Sequence, residues 1–115
     1  MQYLLMIYDN EDGIAALGEE KLGQIMTGYM AYTEALKKAG ALVNSNRLRP
    51  VSTANSVRVQ GGKTNVLNGP YAETKEQLGG YYLIDVPDLD TALSWAARCP
   101  GSEIGTIEVR PIWEM

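Results

Sequence analysis

The apolar positions along the chain fall into blocks that change period. Tyr3 to Tyr8 is a continuous apolar run closed by the polar Asp9, Asn10, Glu11, Asp12 and Gly13, which predicts a strand buried on both faces. From Glu19 to Ala39, Leu22, Ile25, Met26, Tyr29, Tyr32, Thr33 and Leu36 recur at helical spacing. Glu19 and Glu20 at the start and Lys37 and Lys38 at the end suit the helix dipole, and Gly40 stops the helix. Gly23 and Gly28 each cost about 1 kcal/mol relative to Ala inside a helix, which close packing against another backbone would explain. Ala41 to Leu48 reads as a returning strand, and Ser56 to Gln60 with Thr64 to Leu67 as a hairpin closed by Gly61 and Gly62. Gly80 to Val86 is the next strand. Asp88 then caps a second helix with the stripe Leu89, Ala92, Leu93, Ala96 and Ala97, ended by Pro100 and Gly101. Ile107, Val109 and Pro111 alternate on a last strand running through Trp113, and Pro111 suits an edge or a strand end.

That order predicts an α+β fold: a ferredoxin-like antiparallel sheet with two helices on one face and an inserted β-hairpin. Two helices cover one sheet face only. Yet Leu4, Met6 and Tyr8 are apolar opposite Tyr3, Leu5 and Ile7, and Tyr81 and Leu83 are apolar opposite Tyr82 and Ile84. The uncovered face needs a partner sheet, because a monomer rarely leaves a large apolar patch in water. The expectation is a homodimer with its sheets face to face, a dimeric α+β barrel.

At 115 residues, nearly half of them apolar, the chain is expected to form a single domain over 1–115. The net charge of −4 argues against nucleic-acid binding, which needs clustered cations to displace counterions. QYLLMIY is too short to span a membrane and lacks the basic region and cleavage site of a signal peptide, so no membrane association and a cytoplasmic location are expected. The lone Cys99 closes no disulfide within the chain, and with no histidine there is no metal-ligand spacing. Missing histidine also removes every Ser-His-Asp or Cys-His arrangement, leaving Asp, Glu, Lys, Tyr or Cys99 for proton transfer. Cys99 lies near a helix C-terminus, where the dipole opposes the thiolate, and reads as inert. No dinucleotide fingerprint and no phosphate loop occurs, so no cofactor is expected.

Core building does not explain the stretch NGPYAETKEQLGG from Asn68 to Gly80, which joins a turn signal, an aromatic, a charged run and a glycine pair ahead of a strand. With LLMIYDNED near the start, YYLIDVPDLDTALSWAARCP after the stretch and IEVRPIWEM at the end, it makes the chain resemble, over nearly its whole length, the YCII-related, Asp-Gly-Pro-Phe (DGPF) family of small bacterial proteins. The resemblance implies a ferredoxin-like, dimeric α+β-barrel fold. Related proteins of the YCII type have been suggested to be enzymes using a His and Asp pair in a cleft, a pair that a chain without histidine does not inherit. This chain also has Asn68 and Tyr71 where the family signature has Asp and Phe. An Asn replaces a turn-forming Asp but not a proton-transferring one, which shifts weight toward a structural role for Asn68. Genes of the family often neighbour those of extracytoplasmic-function sigma factors, which implies regulation as a second role.

Each candidate residue has a functional and a structural reading. Glu73, Lys75 and Glu76 form either the polar rim of a pocket with a shifted carboxylate or a solvated, ion-paired connection. Tyr8, Tyr71, Tyr81 and Tyr82 either line an apolar cavity or fill the core. Arg47 and Arg49, placed on one strand face, with Arg58 on the hairpin, make either an anion clamp or a charge-protected edge. Asp85 interrupts an apolar strand, so it faces the cavity or marks the strand's exposed end, while Asp9 belongs to the loop after the first strand. Trp95 falls off its helix stripe and reads as a partner contact. Together these predict a homodimeric protein that binds a small organic ligand, with Asp85, Glu73 and Glu76 the candidates for acid/base chemistry. The alternative is a non-catalytic regulatory or protein-interaction module, linked to a sigma factor of that type.

Overall fold

The computed structural model describes residues 1–114. Its first strand, β1 (Gln2–Asp9), leads into a short helix α1 (Glu11–Ala15) and then the long α2 (Glu19–Lys38). The strands β2 (Leu42–Arg47), β3 (Asn55–Gln60), β4 (Lys63–Asn68) and β5 (Gln77–Asp85) follow, then α3 (Leu89–Arg98) and β6 (Thr106–Pro111). A four-stranded antiparallel sheet runs in the order β2-β5-β1-β6, and β3 and β4 pair separately. This is the expected α+β architecture, with the hairpin inserted between the second and third strands of the sheet.

Helix α1 was not visible in the apolar period. It forms because the Asn10 side chain accepts a hydrogen bond from the Gly13 amide at 2.6 Å, capping a turn that has no buried residue of its own. Strand β5 starts at Gln77 rather than Gly80, since pairing with β1 extends through Leu78 and Gln77. Gly61 and Gly62 close the hairpin with φ of 56° and 77°, the left-handed pair that a two-residue primed turn requires.

The helices cover one face. Tyr3, Leu5 and Ile7 of β1 and Tyr82 and Ile84 of β5 are buried there against Tyr32 and Leu36 of α2 and Ala92, Trp95 and Ala96 of α3. Tyr32 sits at the centre. Its hydroxyl donates to the Trp95 carbonyl at 2.7 Å, and its ring packs edge-on against Tyr82 and Trp95, with centroids 5.2 and 6.0 Å apart. Trp95 is therefore a core residue and not the exposed partner contact that its helical position suggested. The helix stripe is wider than the period implied because Tyr32 of α2 packs against the Trp95 ring and bonds its carbonyl. Close packing accounts for Gly28, where an added Cβ would lie 3.3 Å from Pro100, but not for Gly23, which has open space.

The opposite face carries Leu4, Met6, Tyr8, Tyr81 and Leu83, all half-buried, between exposed Asn44 and Asn46 of β2 and exposed Glu108 and Arg110 of β6. Among the described residues, strand β1 is thus covered by helices on one side only. Since Leu36 is fully buried, Leu36→Ala should lower unfolding free energy by about 2–5 kcal/mol. Urea denaturation followed by circular dichroism checks this, and a loss below 1 kcal/mol would show that α2 is not clamped to the sheet as described.

Candidate functional site

The glycine pair of the long motif shapes the end of β5. A Cβ on Gly80 would lie 2.8 Å from the Asn46 carbonyl and 3.3 Å from the Arg47 Cα, so glycine lets β2 close on this strand. The register slips between Ile7 and Tyr8, whose partners are Gly80 and Leu78, leaving Gly79 as an unmatched residue. Both carboxylate oxygens of Asp9 lie 3.7 Å from where a Gly79 Cβ would be. From the other side Gly105 brings the approach to β6 against Tyr8 and Asp9, where a side chain would collide with the Tyr8 carbonyl. Asp9 is thus the last residue of β1, half-buried in a niche walled by glycines.

The charged motif ahead of β5 is tied down around this niche. The Asn10 amide donates to the Lys75 carbonyl at 2.8 Å, and the Gln77 side chain accepts from the Glu11 amide at 3.0 Å and donates to the Thr74 carbonyl at 2.6 Å. Thr106 of β6 donates to Glu76 at 3.0 Å, and Glu11 accepts from the Val51 amide at 2.9 Å. These contacts bring Asp9, Glu11 and Glu76 to one end of the sheet. Burial raises the pKa of Asp9, Glu11 and Glu76 raise it further, and Arg47 opposes them. Burial also holds the nearby Tyr29 hydroxyl protonated far above its usual range, with Cys99 and Asp9 adding to the effect. Burial likewise pushes the Cys99 thiol up, in keeping with an inert cysteine. A carboxyl whose pKa is raised by burial and like charges is better suited to exchanging protons than a free one. Among the described residues, no cluster of His, Cys, Asp and Glu is arranged to hold a metal ion.

The family model of the YCII-related domain matches residues 1–115. The chain belongs to the YCII-related family. An uncharacterized protein of Rhizobium meliloti (strain 1021) is 38% identical over 114 residues, covering 97% of this chain and 92% of its relative. Among solved structures, a 5-chloro-2-hydroxyhydroquinone dehydrochlorinase from Burkholderia phenoliruptrix AC1100, in complex with 2,5-dihydroxybenzoquinone, superposes with a TM-score of 0.57. It covers 99% of this chain and 94% of the enzyme at 14% identity, a likeness of fold.

The YCII-related chain distributes its sequence-singled residues over several places. Tyr8 and Tyr81 share the open sheet face, where the Tyr81 hydroxyl accepts from Asn46 at 2.8 Å. Tyr82 points the other way, into the helix-covered core, and bonds Thr33 at 2.8 Å, so strand alternation keeps it from lining a cavity together with Tyr81. Asp85 is the exposed end of β5, 3.1 Å from the Met1 amine, and not part of a cavity. Glu76 reaches the Asp9 niche, whereas Glu73 and the Lys75 side chain are exposed. Arg47 ends β2 on the helix side, beside the Met26 sulfur at 3.8 Å. Arg49 lies beyond the end of that strand, so the two do not share a strand face. Arg58 belongs to the hairpin, where it donates to the Tyr71 hydroxyl at 2.7 Å and stacks over its ring. An open groove of about 400 Å³ between α2 and α3, floored by Tyr32 and rimmed by Arg98 and Glu103, contains none of these residues.

Asp9 is the residue that sequence reasoning placed in a loop. Its signal was present: an acid ending a core strand, ahead of a capping Asn. Only the fold reveals that Gly79, 70 residues later, and Gly105 come to lie against it.

The Asp9 environment has two measurable consequences. Glu76→Gln removes a charge that raises the Asp9 pKa and should lower it, while Arg47→Met removes an opposing charge and should raise it. Carboxyl carbon NMR titration reads both, and an unchanged midpoint in both variants would separate Asp9 from this cluster. A carboxyl with a raised folded-state pKa favours the fold in its protonated form. That contribution is complete below the ordinary value of 3.8 and is lost as pH rises through the folded value. Asp9→Asn should therefore match the parent below pH 3.8 and gain on it at higher pH, in urea melts across pH. A difference that does not vary with pH would contradict the burial of the charge.

Proposed function

We propose that this YCII-related protein is a cytoplasmic homodimeric α+β barrel that binds a small organic molecule and exchanges a proton with it through the Asp9 carboxyl. The observation that carries this reading is the desolvated Asp9 beside Glu11 and Glu76 at the end of a core strand. Such a group takes a proton from an acidic hydroxyl or carbon of the ligand, or returns one to it, without a metal or histidine. Burial raises the Asp9 pKa, Glu11 and Glu76 add to the rise, Arg47 opposes it, and Tyr8 and Tyr81 present aromatic rings on the open face for a ligand or for the partner protomer. No helix among the described residues is long and apolar enough to cross a membrane, and the open face of Leu4, Met6, Tyr8, Tyr81 and Leu83 supports pairing of sheets in a dimer.

Native mass spectrometry of gently purified protein reads assembly and retained ligand together. The structural neighbour's 2,5-dihydroxybenzoquinone is a first probe for titration. A dimer that binds this probe or retains a small molecule, with binding weakened at least tenfold in Asp9→Asn, is the expected result. Binding unchanged in Asp9→Asn would remove Asp9 from the site.

The interaction-module reading retains one observation, the hairpin. Val57, Val59, Val66 and Leu67 are each at least 60% exposed. The exposed Trp95 patch that would have favoured a protein partner is absent, since Trp95 is buried.

A further inference from the structure

The β3–β4 hairpin does not fold onto the body of its own chain. Its strands pair only with each other, and the radius of gyration is 16.1 Å where a compact chain of this length has about 13 Å. Val57 and Val66 are directly paired, and strand alternation places Val59 on the same face, with exposures of 65%, 60% and 62%. A two-stranded hairpin is marginal in water without a surface to cover such a face.

Its charge says what that surface is. From Asn55 to Asn68 the arm carries Arg58 and Lys63 and no acidic residue, while all 14 Asp and Glu lie elsewhere in the chain. A cationic arm with an apolar face complements an acidic body, and the body of a second copy has that character. The arm is also rooted beside the Asp9 niche, because the Val51 amide ahead of β3 is held by Glu11 at 2.9 Å.

The geometry points to an exchanged arm: the β3–β4 hairpin of each protomer lays its Val57, Val59 and Val66 face on a second copy of this chain. The inference rests on the homodimer reading above and adds the arm to its interface. Arm exchange makes each niche the neighbour of a clamped segment, so the dimer and the site are built together.

Hydrogen exchange across the dimer dissociation range, with sedimentation on the parent chain and Val57→Asp/Val66→Asp, tests it. Both positions are exposed, and circular dichroism confirms that the body of the variant is folded. The expected result is that β3–β4 amides are protected in the dimer, lose protection on dilution, and that the double variant dissociates at least tenfold more readily. A dimer whose arm amides exchange freely, or whose affinity is unchanged in the double variant, overturns arm exchange and leaves the sheet-paired dimer standing. Arm protection that does not vary with concentration also overturns it. A parent chain monomeric at every concentration overturns both readings.

Discussion

The molecule depends on one missing side chain, at Gly80. Gly80 permits β2 to close on β5 at a distance no Cβ would tolerate, which adds the fourth strand to the sheet. Gly79, beside it, absorbs the slip in register between β1 and β5 and lies next to the Asp9 carboxyl. One dipeptide therefore sets both an edge of the fold and a wall of the candidate site. The charged residues before it, Thr74 to Gln77, are held by Asn10, Glu11 and Thr106, which explains why polar residues precede a core strand.

A second constraint is one-sided burial. The helices use their apolar surface on Tyr3, Leu5, Ile7, Tyr82 and Ile84, fastened by the Tyr32 hydroxyl and ring. Among the described residues, no helix covers Leu4, Met6, Tyr8, Tyr81 and Leu83. The hairpin meets the same limit, having valines on one face and no body beneath them. Both surfaces follow from a chain of 115 residues that supplies one helix layer for a sheet apolar on two sides.

Proton chemistry in a chain without histidine requires another group to be moved from its ordinary pKa. Here desolvation and neighbouring carboxylates act in the same direction on Asp9. Asp85, also an acid in an apolar strand, ends that strand in solvent beside the Met1 amine. The two aspartates differ through position and not through chemistry.

The sequence by itself determined the strands, the two main helices, the hairpin and the ferredoxin-like order, because apolar period and turn residues are local signals. It also identified the family, since a long motif survives without any knowledge of the contacts it makes. Tertiary structure alone decided which acid is desolvated, which tyrosine lines the core, and that Trp95 is buried. Tyr81 and Tyr82 are adjacent in sequence but lie on opposite sides of a sheet, and Asp9 meets Gly79 and Glu76 only after β1 and β5 pair. Burial, and the pKa shift that follows from it, is a sum over neighbours distant in the chain, and the chain's own period contains no record of that sum.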